Sequence, residues 1–518
     1  MTPEPISVTP DEIRAAPSTA GMTTKVVKGS IWSLAGQVAP LAVAFLATPF
    51  TIRLLGSDAY GALILVGLIP TYFSFADFGM GIASTKFASQ AYGEGDTKKE
   101  SEIVWTAAAI ATTSTLVVAV PLIVFSYEIV SAMNVPENLL FQTSVGLKLA
   151  TLAFVFGALT QVFNSAMLAR LRMDLNSITQ ALPKVLLSAV TPLILFLGGG
   201  IVWAVGWSLA VSALTLGIVF YSSYRLLKRL ASPSFSLDLV RPLSKLGGAW
   251  LIASIAAVLI GQLERVILTH QLSTRALAYY GVAFTFANIA TFFSQAMLQP
   301  LIPAFSQLTA VEKRPELGAL FSRGSRLLII AVPPFVILLI AAGRPFLTLW
   351  AGAEFGENST TPFYMLTAGF FLSIFSLLPY SAILAAGRTD YFAKMYWLEL
   401  PFYALGVWFL VDRFGISGAA AAYAVRSIFD TIWINYFARR TFGLSFGIRD
   451  YLPRAAGCLT VLILPLIVVG VSNWSMLLPL SMTIAFAAYA LLVWVYLLKD
   501  DEKTLVRRRA NQWIGAPR

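Results

Sequence analysis

The stretch that decides the fold is Gly29–Met80, GSIWSLAGQVAPLAVAFLATPFTIRLLGSDAYGALILVGLIPTYFSFADFGM. Two apolar segments of about twenty residues flank a short hinge, Arg53-Leu54-Leu55-Gly56-Ser57-Asp58-Ala59-Tyr60-Gly61. A helix rises about 1.5 Å per residue, so about twenty residues match the roughly 30 Å hydrocarbon core of a bilayer. The stretch reads as a transmembrane hairpin, and the rest of the chain reads as repetitions of it.

Composition agrees. Of 518 residues, 57% are hydrophobic and 12% charged, about half the charge of a soluble domain. Apolar runs without alternating polar positions exclude a transmembrane barrel and leave helices, which bond their own backbone in lipid. The fold expected is all-α: a polytopic transmembrane bundle of about fourteen helices. The single Cys458 excludes a disulfide framework, and with His270 as the lone histidine, histidine-rich zinc sites are excluded too. No metal and no cofactor are expected. The net charge of +11 follows membrane topology and carries no nucleic-acid signal.

Residues 1–24, rich in Pro, Thr and Ser, lack an apolar h-region and read as a disordered cytoplasmic tail. Spans fall at about 29–52, 59–79, 103–126, 146–168, 178–198, 201–222, 248–269, 279–302, 325–349, 363–386, 395–411, 416–437, 455–472 and 476–498. The division expected is a six-helix lobe over 25–222, a basic cytoplasmic linker over 223–247, and a second six-helix lobe over 248–440. Two additional helices over 441–498 and a basic tail over 499–518 complete it. With the N-terminus inside, about 29 of the 37 Lys and Arg residues face the cytoplasm. That asymmetry places both termini inside.

An internal repeat supports the two lobes. Lys28-Gly29-Ser30-Ile31-Trp32 matches Leu246-Gly247-Gly248-Ala249-Trp250, and the Tyr60-Gly61 turn matches Tyr280-Gly281. Six helices separate the copies, so both have the same orientation, a parallel repeat about an axis along the membrane normal.

The string Arg53-Leu54-Leu55-Gly56-x-x-x-Tyr60-Gly61, followed by Ala76-Asp77-Phe78-Gly79-Met80, resembles the start of polysaccharide exporters. These are the O-antigen and lipid-linked oligosaccharide flippases of the multidrug/oligosaccharidyl-lipid/polysaccharide (MOP) superfamily. The last two helices are similar to the fourteen-helix arrangement of the related lipid II flippases. The resemblance implies two lobes around a central cavity, alternating access, and movement of undecaprenyl-pyrophosphate-linked sugars to the outer leaflet of the inner membrane. The purpose would be surface lipopolysaccharide or exopolysaccharide synthesis. It implies a lipid-linked oligosaccharide and membrane lipids as partners, other polysaccharide-assembly membrane proteins as further ones, and no enzyme activity. On this resemblance Arg53, Gly56, Tyr60, Gly61, Asp77 and Gly79 are motif or gate residues. For Asp77, a gating or helix-capping role is expected ahead of substrate contact.

Chemistry asks for the same kind of device. Each sugar hydroxyl left unpartnered in hydrocarbon costs about 2–7 kcal/mol, so a carrier needs a polar, partly cationic cavity. Arg426 and Asp430 lie four apart near the middle of the 416–437 helix, beside Tyr423. They read as cavity residues or as a self-neutralising pair. Lys184 reads as cavity cation or as a snorkelling side chain. Glu264 and Arg265 are expected to snorkel at an outer helix end, with Arg265 retained as a substrate-binding candidate. Asn288, Thr291, Gln295 and Gln299 form one polar stripe, a cavity lining or an interhelical seam; Gln161, Asn164 and Gln180 are weaker versions. Glu399 is a candidate proton or cation site. The clearly buried cations are expected to equal or outnumber the acids, which favours an anionic cargo.

Two other functions compete. A cation-coupled multidrug exporter of the same superfamily would need a smaller, more acidic or aromatic cavity. A membrane-embedded glycan polymerase, ligase or glycosyltransferase would need a large outer loop or a nucleotide-sugar domain, and the sequence offers neither.

Overall fold

The computed structural model describes residues 19–170, 172–298, 305, 314–386, 388, 390–443, 457, 459–462, 478–497 and 503–504. Among these residues the chain is helical, with no strand. Eight of the described helices are long and apolar enough to cross a membrane.

The opening hairpin is one helical element, α1 (Thr19–Tyr72), broken at Gly56. There φ is 77° and ψ is 168°, a backbone combination open to glycine and denied to residues with a Cβ. This is the hinge read from the sequence. A 3₁₀ turn (Ser74–Asp77) ends the second arm, and α2 (Met80–Gly93) starts from Gly79. Phe78 and Gly79 both adopt left-handed φ, 57° and 66°. The Asp77 carboxylate stabilises this reversal by accepting hydrogen bonds from the Gly79 amide at 2.9 Å and, more weakly, the Gly81 amide at 3.5 Å. Asp77 is therefore a helix-capping residue. A Cβ on Gly247 would lie 2.1 Å from the Phe78 carbonyl oxygen. Only a glycine there lets the chain pack against the motif.

The first lobe continues through α3 (Thr97–Val124), α4 (Ser126–Ser131), α5 (Glu137–Phe163), α6 (Ser165–Ala169), α7 (Met173–Phe196) and α8 (Ile201–Leu226). The Gly198–Gly200 turn does separate two spans. Trp105, Phe163 and Phe220 interlock edge to face, with centroids 5.1–6.2 Å apart. Ser223 donates to the Phe163 carbonyl at 2.7 Å, tying α8 to α5. In lipid, where apolar surface gains nothing by leaving solvent, close packing and such bonds hold helices together. Near one end, the fully buried Glu100 receives a bidentate bond from Arg170 at 2.5 and 3.0 Å. The guanidinium also stacks 4.5 Å over Tyr92.

The second half contains α9 (Leu237–Gln271), α10 (Thr274–Leu298), α11 (Arg314–Ala351), α12 (Ala353–Asn358), α13 (Thr360–Ala385), α14 (Asp390–Phe442) and α15 (Leu478–Leu492), the last continuing into a π-helical turn at Val493–Leu497. At 53 residues α14 spans about 80 Å if straight. It is instead broken at Gly415, where φ is 57° and ψ is −135°, into the two spans expected at 395–411 and 416–437. The chain divides into two compact units, Met1–Val258 and Leu259–Arg518. The division falls inside α9, whereas the linker expected at 223–247 is itself helical from Leu237 onward.

Polar side chains stitch α13 to α14. Thr431 donates to the Leu372 carbonyl at 3.0 Å and Asn435 to that of Phe375 at 3.3 Å. Met482, Ala485, Tyr489, Val493 and Leu497 from the last helix pack with Ile329 and Ile337 of α11. The Tyr489 hydroxyl donates to the Ile330 carbonyl at 2.7 Å. The span expected at 455–472 lies mostly outside the described residues, as do Cys458, Gln299, the side chain of Gln295 and those of Lys28, Trp32 and Trp250.

Candidate functional site

The two arms of α14 enclose a cavity of about 610 Å³ lined by Phe402, Tyr403, Arg426, Phe429, Asp430 and Trp433, among others. Its walls are apolar and its floor is charged. Tyr403 and Arg426 stand at nearly equal distances along the chain from Gly415, so the break brings them level. The Arg426 guanidinium lies 5.1 Å from the Tyr403 ring and 5.8 Å from that of Tyr423. Its Nε is 3.3 Å from Glu399 Oε1 and 3.5 Å from Asp430 Oδ2, and one terminal nitrogen donates to the Ile260 carbonyl at 3.4 Å.

Arg426 therefore serves two carboxylates at once. The enclosed Glu399 oxygens and Asp430 Oδ1 lack well-aligned hydrogen bonds among the described residues. Charge, more than directed bonding, holds them. Such an arrangement keeps acceptor capacity in reserve.

Behind Tyr403 lies Glu264. Its side chain is fully buried and accepts hydrogen bonds from the hydroxyls of Tyr403 at 3.2 Å and Tyr280 at 3.3 Å. The expectation that Glu264 snorkels to an outer surface is thus corrected: the tyrosines supply the donors that water would have supplied, so the carboxylate stays inside. Arg265 bonds Gln262 at 2.8 Å and stacks 4.5 Å from Phe284, whose ring lies 5.8 Å from Tyr423. The fold therefore gathers Arg426, Asp430, Glu399, Glu264 and Arg265 into one neighbourhood.

Within this neighbourhood three carboxylates (Glu264, Glu399, Asp430) sit beside two guanidiniums (Arg426, Arg265). Elsewhere among the described residues Arg326 is buried on α11 and Arg170 covers the buried Glu100. Lys184 does not alter the count, because it is exposed on α7 in the other unit. The remaining candidates are dispersed. Asn288 is exposed and bonded by Thr291 at 3.1 Å. Arg53 is exposed just before the Gly56 break, Tyr60 is half-buried and Gly61 buried beyond it, and Asn164 donates to Asn176 at 2.7 Å. Gln180 is half-buried and Gln161 exposed. Among the described residues no cluster of three His, Cys, Asp or Glu side chains is set to hold a metal ion.

What the sequence did not reveal was the role of Tyr280 and Tyr403 and the reach of Glu399 to Arg426. The glycine break at 415 was the available signal, since it folds one arm onto the other.

Residues 26–309, more than half the chain, match the family model described as "Polysaccharide biosynthesis protein". The chain belongs to this family. It is 20% identical over 431 residues to the Shigella flexneri protein named "Putative O-antigen transporter", covering 80% of this chain and 98% of that one. The fold is that of the MOP superfamily. The solved lipid II flippase MurJ, in an inward closed conformation, superposes with a TM-score of 0.71 at 13% identity over 91% of this chain and 98% of its own. An inward-facing multidrug resistance MATE family transporter gives 0.66 at 11% identity over 79% and 98%. This family member is a multi-pass membrane protein.

Proposed function

We propose that the chain is a flippase that carries undecaprenyl-pyrophosphate-linked oligosaccharide from the inner to the outer leaflet of the cytoplasmic membrane, by alternating access, for surface polysaccharide synthesis. The observation that carries this reading is the family match over residues 26–309, joined to a likeness to an O-antigen transporter along most of both chains. The described helices fit a carrier. They contain membrane-length spans, a cavity lined by both apolar and charged groups, and short connections.

Charge does not select the cargo. With three acids to two cations, the α14 cluster does not by itself favour an anionic head group. It suits coupling: three carboxyl groups beside two guanidiniums among apolar walls leave one carboxyl without a guanidinium of its own, a group that can take up one cation, because an uncompensated charge there is costly. Glu399 and Asp430, which share Arg426, are the groups assigned to that cation. The acid excess also favours, as a second reading, a cation-coupled exporter of small molecules with the same fold.

The test is deletion of the gene in its host followed by analysis of the lipid fraction and the cell surface. The proposal expects lipid-linked glycan to accumulate facing the cytoplasm and surface polysaccharide to fall. An unchanged surface with no accumulated linked glycan would overturn it in favour of the exporter. A Glu399→Gln chain that reaches the membrane and restores surface polysaccharide in full would overturn the coupling role.

A further inference from the structure

A second hollow, of about 510 Å³, lies wholly within the first unit. It is formed where the second arm of α1 ends, α2 begins and α5 meets α6, and its polar lining is Asp77, Thr85, Lys86, Ser89 and Gln161. Asp77 closes the second crossing and Gln161 the fourth, so both lie at the membrane face that even-numbered crossings reach, the side assigned to the cytoplasm by the Lys and Arg asymmetry.

The polar atoms here are an unusual set for a structural role. Thr85 and Ser89 donate their hydroxyl protons to the carbonyls of Gly81 (2.8 Å) and Thr85 (2.7 Å), which leaves their oxygens as acceptors. Asp77 Oδ1 is committed to the Gly79 amide, but Oδ2 has only the 3.5 Å contact with Gly81. Among the described residues the Gln161 side chain makes no hydrogen bond, and Lys86 joins no ion pair. Four oxygens (Asp77 Oδ2, Thr85 Oγ1, Ser89 Oγ and Gln161 Oε1) thus stand ready to accept, beside the Gln161 amide and one exposed cation, Lys86. A simple anion would meet the Asp77 carboxylate. A ligand rich in hydroxyl donors, carrying an anion at one end, satisfies every group. The volume suits one or two sugar rings. Gly81 keeps the space open: a Cβ there would come within 3.2 Å of the Gln161 Cβ and 3.7 Å of Asp77 Oδ2.

We propose that this hollow is a docking subsite for the glycosyl-phosphate portion of a polyprenyl-diphosphate-linked glycan. Asp77, Thr85, Ser89 and Gln161 receive sugar hydroxyls, and Lys86 pairs with a phosphate oxygen. The inference rests on the flippase reading and gives it a place of entry. It also gives the Asp77-Phe78-Gly79 motif a second purpose beside capping, since the same carboxylate shapes the turn and faces the sugar.

The test uses the full chain in lipid nanodiscs and two probes: lipid-linked glycan extracted from the deletion strain, and undecaprenyl diphosphate without sugar. Inorganic pyrophosphate serves as a third. Gln161→Leu is expected to weaken binding of the linked glycan about tenfold and leave the sugar-free lipid unchanged, the effect of one lost hydrogen-bonding partner. Lys86→Ala is expected to weaken both lipids. Both residues are exposed, so melting temperatures stay at the wild-type value. If the wild-type chain binds no linked glycan, the flippase reading fails and this inference falls with it. If it binds linked glycan and neither variant weakens it, the flippase reading survives and the subsite is overturned. If pyrophosphate alone competes as well as the linked glycan, the hollow is an anion site and the sugar assignment is overturned.

Discussion

Replacing Arg426 with methionine preserves much of the side chain's apolar stem and removes its charge. In the wild-type chain its Nε lies 3.3 Å from Glu399 and 3.5 Å from Asp430, with both partners mostly buried. At an effective dielectric of about 20, each contact is an attraction of about 5 kcal/mol before desolvation is counted. Desolvation opposes most of that, so the pairs contribute little net stability. The methionine variant nevertheless leaves two neighbouring buried carboxylates without a counter-charge. Breaking a buried pair in this way costs about 3–5 kcal/mol. At about 2 °C per kcal/mol for a unit of this size, the melting temperature falls by about 6–10 °C. Thermal unfolding of the purified protein in detergent, followed by intrinsic fluorescence, reads this directly. The triple variant R426M/E399Q/D430N should recover most of the loss, because it removes the stranded charges as well. A single R426M variant melting within about 1 °C of wild type, or a triple variant no better than the single, would refute the account of this cluster.

Three other outcomes follow from the same geometry. Glu100→Gln breaks the bidentate bond to Arg170 at the end of the first lobe, and should lower the melting temperature more than the double variant E100Q/R170M does. Gly418→Ala places a Cβ 1.9 Å from the Leu410 carbonyl oxygen, across the turn that folds α14 on itself; size-exclusion profiles of membrane extracts should show loss of the folded species. Tyr489→Phe deletes one hydrogen bond to the Ile330 carbonyl and should cost about 1 kcal/mol, seen as a small fall in melting temperature with the same elution profile.

The parts of the fold that depend on length and polarity were legible in the chain itself. Membrane-length apolar runs and the glycines at 56 and 198–200 predicted where helices begin, turn and end. For Asp77 the sequence left a gate and a helix cap open, and the bond from the Gly79 amide is of the capping kind. The candidate cluster was legible only in part. Arg426 and Asp430 share a helix and four-residue spacing, so their contact follows from periodicity. Glu399 reaches Arg426 from the other arm of α14, with the glycine at 415 as its one signal, and Glu264 reaches Tyr403 from α9, where nothing local in sequence records the meeting. Glu264 looked like a surface residue because a carboxylate near a helix end usually is one. Tyrosine donors from two other helices reverse that, and an aromatic residue among many in an apolar span carries no mark of its hydroxyl's partner. Lys184 could be read as a cavity cation or as a snorkelling side chain, and the fold leaves it exposed on α7.

The central claim is that this chain moves a lipid-linked glycan between leaflets. Purified protein reconstituted into vesicles containing that lipid tests it most directly, with a membrane-impermeant glycosidase added outside. The account predicts that vesicles with protein expose nearly all of the glycan to the enzyme over time, while protein-free vesicles expose only what began in the outer leaflet. Equal exposure with and without protein, under an imposed proton gradient of either direction, would contradict it.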